Sequence, residues 1–431
     1  MSDEIVTTDE IAPTEITPTG NAPSLWKRYS SANPLVIAAL AIVLGLIFGA
    51  IVIATTTPVV LDAWRGIFDH WDGFFHALNV TFDNVGAAYR DIFTGSIVDP
   101  QSFWHSLTTG QNWTGSLTPI SETLTYATPL IIVSIAVGIS FQTGLFNIGA
   151  NGQAVIGGIA GAVVGSMINL PTFIHLPFSL LGAIIGGMVC GAVPGFLKAY
   201  TGAHEVIVTL MFNYVCYAFL LYAVLSTPFQ QPGQSNDIGR TIDPTAILSP
   251  LFGTKSGLRV SYGVFVAAAV VIFAWWLLNR SSLGFDFRVT GANPLAARAS
   301  GINAKVVVIL VFLISGGLAG LAGYVQVAST THYIDGGFLI GTAGIGFTAI
   351  TIALLGRNRP MGIVWASILF SALGVGGRNM QALTGIPLDL ATVIQSAIVL
   401  FVATPVLVKE IFRLKKAPTS MITLSTTGWG S

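Results

Sequence analysis

The sequence predicts an all-α polytopic membrane protein, with about ten transmembrane helices that include an inverted repeat of two four-helix blocks. Hydrophobic residues make up 53% of its 431 residues and charged residues only 9%, which is too little charge to cover the surface of a soluble domain of this length. Apolar runs long enough to cross a bilayer recur along the chain. Many of the 48 glycines lie within these runs, as is typical of closely packed transmembrane helices.

Charge and motif content exclude several classes of function. Lys plus Arg equals Asp plus Glu at 19 each, so the net charge does not indicate an acidic or a basic partner. The basic residues form no stripe, so nucleic acid is not an expected partner. The chain has no G-x-x-x-x-G-K-[ST] loop for ATP phosphates, no G-x-S-x-G elbow and no His/Cys/Asp cluster with metal-ligand spacing. Cys190 and Cys216 lie in apolar runs and are expected to be small buried residues. We therefore expect neither an enzyme nor a metal site.

The chain divides into five segments. Residues 1–33 are polar and are expected to form a disordered cytoplasmic tail, and 34–57 hold the first transmembrane helix. Residues 58–118 form an extracytoplasmic loop whose aromatic residues predict interfacial helices, with a small extramembrane domain as the alternative. Residues 119–408 form the membrane core, and 409–431 a second cytoplasmic tail. The nine further spans are expected near 119–141, 153–170, 177–198, 206–226, 260–279, 305–326, 344–356, 361–377 and 388–408.

The distribution of basic residues predicts the orientation. Lys27 and Arg28 precede the first span and the basic run 409–416 follows the last, so an even number of spans places both termini in the cytoplasm. Arg378 is the one basic residue in a short outer connection and contradicts this orientation. The eighth span, 344–356, is short and flanked by glycine, which indicates a broken or re-entrant helix.

Spans two to five and seven to ten are the two blocks of the predicted repeat. A local similarity supports it, because Thr201-Gly202 precedes Glu205 much as Thr384-Gly385 precedes Asp389. Inverted blocks of this kind place a translocation path at their interface, and chance similarity between apolar sequences is the alternative. Small residues at four-residue spacing predict close helix contacts along two faces, formed by Gly157, Gly161 and Gly165 and by Gly187, Gly191 and Gly195.

The segment 142–153, QTGLFNIGANGQ, interrupts two apolar runs with glycines and amides but no charge. Irregular backbone at membrane depth is tolerated where it lines a cavity or packs on protein. Its amides Asn147, Asn151 and Gln153 are therefore candidates to hydrogen-bond a neutral polar solute in transit, with helix capping as the alternative. Glu205 and Asn213 in the fifth span are further candidates. The alternative for Glu205 is a favourable charge at a helix N-terminus, and the alternative for Asn213 is core packing.

The polar loop 280–305 separates two apolar runs and contains the signals of a short helix. Asn293 is a good N-cap, Pro294 suits the first helical position, and Gly301 suits a left-handed stop. The residues between them, Leu295 to Arg298, are strong helix formers. A capped helix of two turns between membrane spans is expected to lie on the bilayer surface, where it offers a contact for a partner. An ordinary cytoplasmic loop is the alternative.

Several stretches resemble one family, the permease subunits of bacterial ABC importers of the branched-chain amino acid and simple-sugar type, nearest the nucleoside/simple-sugar branch. They appear in the family's order between about residues 115 and 410, which makes the resemblance specific. Asn151 stands where many members look acidic. The matching stretches are GLFNIGANGQ at 144–153, GAHEVIVTLMFNY at 202–214, RVTGANPLAARASGI at 288–302, ISGGLAGLAG at 314–323, GFTAITIALLGRNRP at 346–360 and GIPLDLATVIQ at 385–395.

The resemblance implies a multi-pass protein of the bacterial plasma membrane that imports a neutral polar solute, most closely a nucleoside or simple sugar. It implies a second, different permease chain, an extracytoplasmic solute-binding lipoprotein and a cytoplasmic ABC ATPase, which binds the ATP, so this chain needs no cofactor. Arg298 would make a polar contact and Leu295 an apolar contact in a cleft of the ATPase. The full set of implied coupling residues is Asn293, Pro294, Leu295, Ala297, Arg298, Gly301 and Ile302. A stand-alone secondary carrier or facilitator for a small polar solute is the alternative.

Overall fold

The computed structural model describes residues 34–68 and 73–412, which form sixteen α-helices and, within those ranges, no strand beyond three isolated β-bridges. The predicted tail 1–33, with Lys27 and Arg28, and most of the predicted tail 409–431 lie outside the described residues. The helices are α1 Pro34–Thr56, α2 Pro58–Arg65, α3 Gly73–Ser96, α4 Pro100–Thr109, α5 Trp113–Gln142, α6 Ala150–Met167, α7 Thr172–Thr201, α8 Glu205–Leu225, α9 Gly263–Arg280, α10 Ser282–Ala292, α11 Pro294–Ala299, α12 Ala304–Gln326, α13 Phe338–Leu355, α14 Pro360–Thr384, α15 Asp389–Ala403 and α16 Pro405–Ile411.

Each predicted span contains a helix, but the number ten is not confirmed. By length and composition, seven of the described helices could cross a membrane, namely α1, α5, α7, α8, α9, α12 and α14, and the number is eight if α15 and α16 form one bent span. α6 has 18 residues but begins with amides and is rich in glycine, and the apolar part of α13 is only Ile345–Leu355. The inverted repeat stays a prediction.

The last predicted span, 388–408, is not one straight helix. α15 and α16 bend by 90° at their junction. Pro405 opens α16, and because a proline lacks an N–H and disfavours the helical region for the residue before it, α15 ends at that point. The sequence contained this signal, and the span prediction overlooked it.

The segment 58–118 contains three helices, α2, α3 and α4, and α3 packs closely along α14. A Cβ added to Gly376 would collide with the backbone of Ile92, and one added to Gly95 would collide with the side chain of Asn379. The hydroxyl of Tyr89 donates to the carbonyl oxygen of Leu46 on α1 at 2.5 Å. α3 is therefore part of the helix bundle, whereas the predicted depth of these helices in the bilayer stays a prediction.

Three helices, α6, α7 and α12, meet backbone to backbone at the centre of the bundle. A Cβ on Gly157 would collide with Gly320, and a Cβ on Gly187 would collide with the carbonyl of Gly316. Gly161 and Gly165 face the ring and hydroxyl of Tyr324, which is fully buried. Both predicted small-residue faces are thus confirmed, and α12 is the partner that they share.

The connections between long helices lie at two ends of the bundle. One end, called the α11 end, holds the connections 143–149, 202–204, 281–303 and 356–359, and a hydrogen bond from Gln142 to the carbonyl of Asn358 joins two of them at 2.6 Å. The opposite end holds 226–262 and 332–337, which are joined by the β-bridge between Ile238 and Asp335. This arrangement separates the capped surface helix from the cavity described below.

Candidate functional site

α11 is the helix that the sequence predicted, and its cap is complete. The Asn293 side-chain oxygen accepts from the backbone N–H groups of Leu295 and Ala296 at 3.0 and 3.1 Å, and Pro294 follows at the first helical position. Gly301 ends the segment at φ +81°, in the left-handed region that favours glycine. The local sequence was sufficient here because every contact of the cap lies within three residues.

The surface of α11 is divided between anchoring and exposed residues. Ala297 is fully buried, and Ile302 packs against the main hydrophobic core. Leu295 is 74% exposed, and Arg298 is exposed on the next turn. Three residues apart on a helix, they lie on neighbouring positions of one face. α11 is thus fixed to the bundle while an apolar and a cationic side chain extend from it.

α10 connects this surface to the helix bundle, and the sequence did not predict it as a helix. Ser281 caps it through a hydrogen bond from the N–H of Gly284 at 2.9 Å, and Phe287 is fully buried. At its last turn Gly291 packs so closely on Gln142 and Thr143 that a Cβ would contact the carbonyl oxygen of Gln142 at 2.5 Å. A displacement of α11 would therefore reach the 143–149 connection through α10.

The predicted amides of that connection bond mainly to one another. Asn147 has no exposed surface, and its Nδ2 donates to Oε1 of Gln153 at 2.9 Å and to Oγ of Ser315 on α12 at 2.8 Å. Its Oδ1 accepts from the N–H of Gly149 at 3.0 Å. Since these groups find protein partners, they hold the connection against α12.

Asn213 attaches α8 to the same connection. Its Oδ1 accepts from the N–H of Gly152 at 2.9 Å, and its Nδ2 donates to the carbonyl of Ile148 at 3.1 Å. Asn151 is buried beside Gly346 of α13, and its Oδ1 has no hydrogen-bond partner among the described residues. The structure thus brings together four of the five predicted path residues.

Glu205 is the predicted path residue that does not join these amides. Its carboxylate forms an ion pair with Lys198 at 2.7 Å, which links the end of α7 to the start of α8. Both side chains are partly buried, so the pair fixes the 202–204 connection at the α11 end.

Replacing Asn213 with leucine should lower the melting temperature of the purified protein. The change leaves the N–H of Gly152 and the carbonyl of Ile148 without partners, at a cost of about 1–3 kcal/mol for each buried group. Asn279→Leu is the matched control, because the Asn279 amide is exposed and donates only to Trp275 within its own helix. Equal melting temperatures for the two variants would contradict the fastening role of Asn213.

A polar cavity of about 320 Å³ lies between α5, α12, α13, α14 and α15, and the sequence did not predict it. The Arg378 guanidinium lies over the ring of Tyr126 at 4.2 Å from the ring centroid. The residues that line the cavity are Tyr126, Pro129, Leu130, Gln326, Ile345, Thr348, Phe370, Ser371, Gly374, Val375, Arg378, Thr392 and Gln395. Its volume is at the lower end of the range of small-molecule sites.

Arg378 was the residue that contradicted the predicted orientation, and the structure places it within a helix rather than in an outer connection. The predicted span 361–377 ended one residue before Arg378, but α14 continues to Thr384, so the guanidinium projects from a membrane helix. A charged residue within a membrane helix usually marks a functional site. The charge of Arg378 within α14, rather than the amides of 142–153, therefore points to this cavity.

One face of α8 carries large side chains that no other described helix covers. Ile207, Met211, Tyr214 and Tyr222 recur along it, and the two tyrosines are 66% and 69% exposed. Tyr214 lies near the middle of the 21-residue helix, and its hydroxyl forms no hydrogen bond with a described residue. A phenol hydroxyl at that depth is costly in lipid, so the face is suited to a protein partner or to water.

The comparisons with known proteins agree with this architecture. The sequence model of the family described as branched-chain amino acid transport system / permease component matches residues 120–403. The chain is 34% identical over 306 residues to the guanosine ABC transporter permease protein NupP of Bacillus subtilis, covering 70% of this chain and 86% of that protein.

Two further relatives are informative. The glucose ABC transporter permease protein TsgB13 of Haloferax volcanii is 33% identical over 292 residues, which is 66% of this chain and 76% of that protein. The guanosine ABC transporter permease protein NupQ, also of Bacillus subtilis, is 25% identical over 277 residues, 62% of this chain and 85% of that protein. The family model's match runs from residue 120, within α5, to the end of α15, and therefore includes the amide network, α11 and the cavity.

Proposed function

Since the chain belongs to the permease family of branched-chain amino acid transport systems, we propose that it is the membrane-spanning subunit of an ATP-driven importer for a nucleoside or a simple sugar. Relatives named for guanosine and for glucose support this substrate class. The observation that carries the proposal is α11, whose cap and buried Ala297 hold Leu295 and Arg298 outside the bundle. A carrier driven by a solute gradient has no need of such a contact surface.

In this proposal a separate ABC ATPase binds the ATP and receives α11 in a surface cleft. Leu295 enters an apolar part of the cleft, and Arg298 bonds an acidic group there. Five residues hold these two side chains in position. Asn293 and Pro294 form the cap, Ala297 and Ile302 form the buried side of the helix, and Gly301 forms its left-handed end. No enzymatic activity is assigned to this chain.

The second permease chain is proposed to lie against α8. The uncovered face with Tyr214 and Tyr222 has the aromatic character of interface cores. Bacillus subtilis has two different guanosine permease relatives, NupP and NupQ, which favours a pair of unlike chains. The bonds of Asn213 set the position of this face, and Asn147, Gln153 and Glu205 act on the translocation path by holding the neighbouring connections. The Oδ1 atom of Asn151, which has no partner among the described residues, is proposed to act on the path as a hydrogen-bond acceptor.

The proposed orientation places the α11 end in the cytoplasm of a bacterial cell, with both termini on that side. A solute-binding lipoprotein then delivers the solute at the opposite end, where the long connection 226–262 lies. The sequence positions of Arg280, Arg288, Arg298, Lys305, Arg357 and Arg359 support this orientation, because all of them lie near the α11 end.

Uptake by the reconstituted complex tests the proposed function. Proteoliposomes that contain both permeases, the ATPase and the binding protein should accumulate guanosine or glucose when ATP is present on the side of the membrane where the ATPase lies. Proteoliposomes without the ATPase should not accumulate either solute. The matched control is this chain alone in liposomes. Solute movement by the chain alone, without ATP, would contradict the proposal and support a carrier or facilitator.

A further inference from the structure

The amide network and the Arg378 cavity differ in how their polar groups are satisfied. Asn147 and Gln153 bond to each other and to neighbouring groups, so they have little capacity left for a ligand. The Arg378 guanidinium has five N–H donors but forms no hydrogen bond or ion pair with a described residue, and its contact is the face of the Tyr126 ring.

The side chains of three other lining residues also have no partner among the described residues. The Gln326 amide and the Thr348 and Thr392 hydroxyls form no hydrogen bond within the described ranges. In contrast, Ser371 donates to the carbonyl of Thr123, and Gln395 donates to that of Phe370. Arg378 and Thr392 are exposed and Gln326 and Thr348 are half-buried, so these polar groups face the open space of the cavity and are available to a ligand. A few convergent polar groups in one cavity are typical of a binding site.

The charge of the cavity restricts the chemistry of its ligand. Arg378 is the one charged residue among those that line it, and no carboxylate lies among them to balance the guanidinium. The guanidinium is a permanent cation with a planar fork of donors, which suits paired oxygen acceptors. A single arginine in a narrow polar passage excludes cations by electrostatic repulsion.

We propose that this cavity binds the transported solute within the protein, and that Arg378 makes it favour oxygen-rich solutes that carry no positive charge and exclude cations. The carbonyl oxygens of a nucleobase or the hydroxyls of a sugar accept from Arg378, and Gln326, Thr348 and Thr392 bond the remaining polar groups. Tyr126 holds the guanidinium in place through its ring. This inference rests on the proposed function and assigns the substrate chemistry of one site.

A cysteine at the cavity tests the charge selection without knowledge of the substrate. In purified protein with Cys190→Ala and Cys216→Ala, Thr392→Cys should react faster with an anionic thiol reagent than with a cationic one of equal size. Adding Arg378→Gln should reduce that rate ratio by roughly tenfold or more, because a unit charge at a few ångströms is removed, while Arg378→Lys should preserve it. Thr254→Cys in the 226–262 connection is the matched control, where Arg378→Gln should leave the ratio unchanged.

Protection by solute completes the experiment. Guanosine or glucose should slow the labelling of Thr392→Cys but not that of Thr254→Cys. The inference is overturned if Thr392→Cys is unreactive, if its rate ratio is the same with and without Arg378, or if a solute that the reconstituted complex takes up does not slow its labelling.

The two proposals fail separately. If the reconstituted complex takes up guanosine or glucose but the labelling ratio at Thr392→Cys is the same with and without Arg378, the cavity inference alone is wrong. If the complex takes up neither solute but Arg378 controls the ratio, the substrate in the proposed function is wrong, and the charge selection by the cavity stands.

Discussion

Replacing Arg298 with glutamate should reduce ATP-driven uptake at least thirtyfold while the protein still inserts into the membrane. The proposed contact pairs the Arg298 guanidinium with an acidic group of the ATPase, and reversal of one partner of a close charge pair costs about 2 kcal/mol or more. Leu295→Asp should have a similar effect, because it places a carboxylate in an apolar contact. Uptake by the reconstituted complex and co-purification of the ATPase are the measurements.

The folded state should be insensitive to both changes. Arg298 and Leu295 are exposed, and surface substitutions away from caps and cores change the free energy of unfolding by no more than about 0.5 kcal/mol. Arg288→Ala is the matched control, since it removes an exposed positive charge from the neighbouring α10 and should leave uptake within about threefold. Normal uptake by Arg298→Glu, or a reporter inserted after Ser300 that lies outside the cytoplasm, would refute the coupling role.

Features that depend on neighbouring residues were predictable from the sequence. The cap of α11 lies within three residues of Asn293, and its residue types determine its geometry. The small-residue faces of α6 and α7 were visible as a four-residue spacing of glycine. The bend before Pro405 had a local signal as well, and the span prediction missed it because the apolar run continues through the proline.

Features that depend on distant residues were not predictable in the same way. Asn147 and Ser315 are separated by 168 residues, so the sequence could mark the amide as unusual but could not identify its partner. The Arg378 cavity needs five helices to converge, and the sequence analysis placed Arg378 in an outer connection rather than in a membrane helix. The length of α14 determines where Arg378 lies, since a helix ending at 377 would have left it in a connection.

Gly320→Ala and Gly187→Ala should each destabilise the protein by about 1–3 kcal/mol or more, although both changes favour helix formation in isolation. A Cβ on Gly320 would meet the backbone of Ala183 and Gly187, and a Cβ on Gly187 would meet the backbone of Gly316. Because these contacts are with backbone rather than with flexible side-chain ends, the helices α7 and α12 must move apart. That separation loses the dispersion contacts that hold membrane helices together.

Gly86→Ala in α3 is the matched control, because no atom lies within 4 Å of the added Cβ. It should be neutral or stabilising by up to about 1 kcal/mol, since alanine is the better helix former. Thermal unfolding of the three purified variants in detergent measures the difference. Equal melting temperatures would mean that α7 and α12 are not in backbone contact in the folded protein, and the centre of the bundle would then need another arrangement.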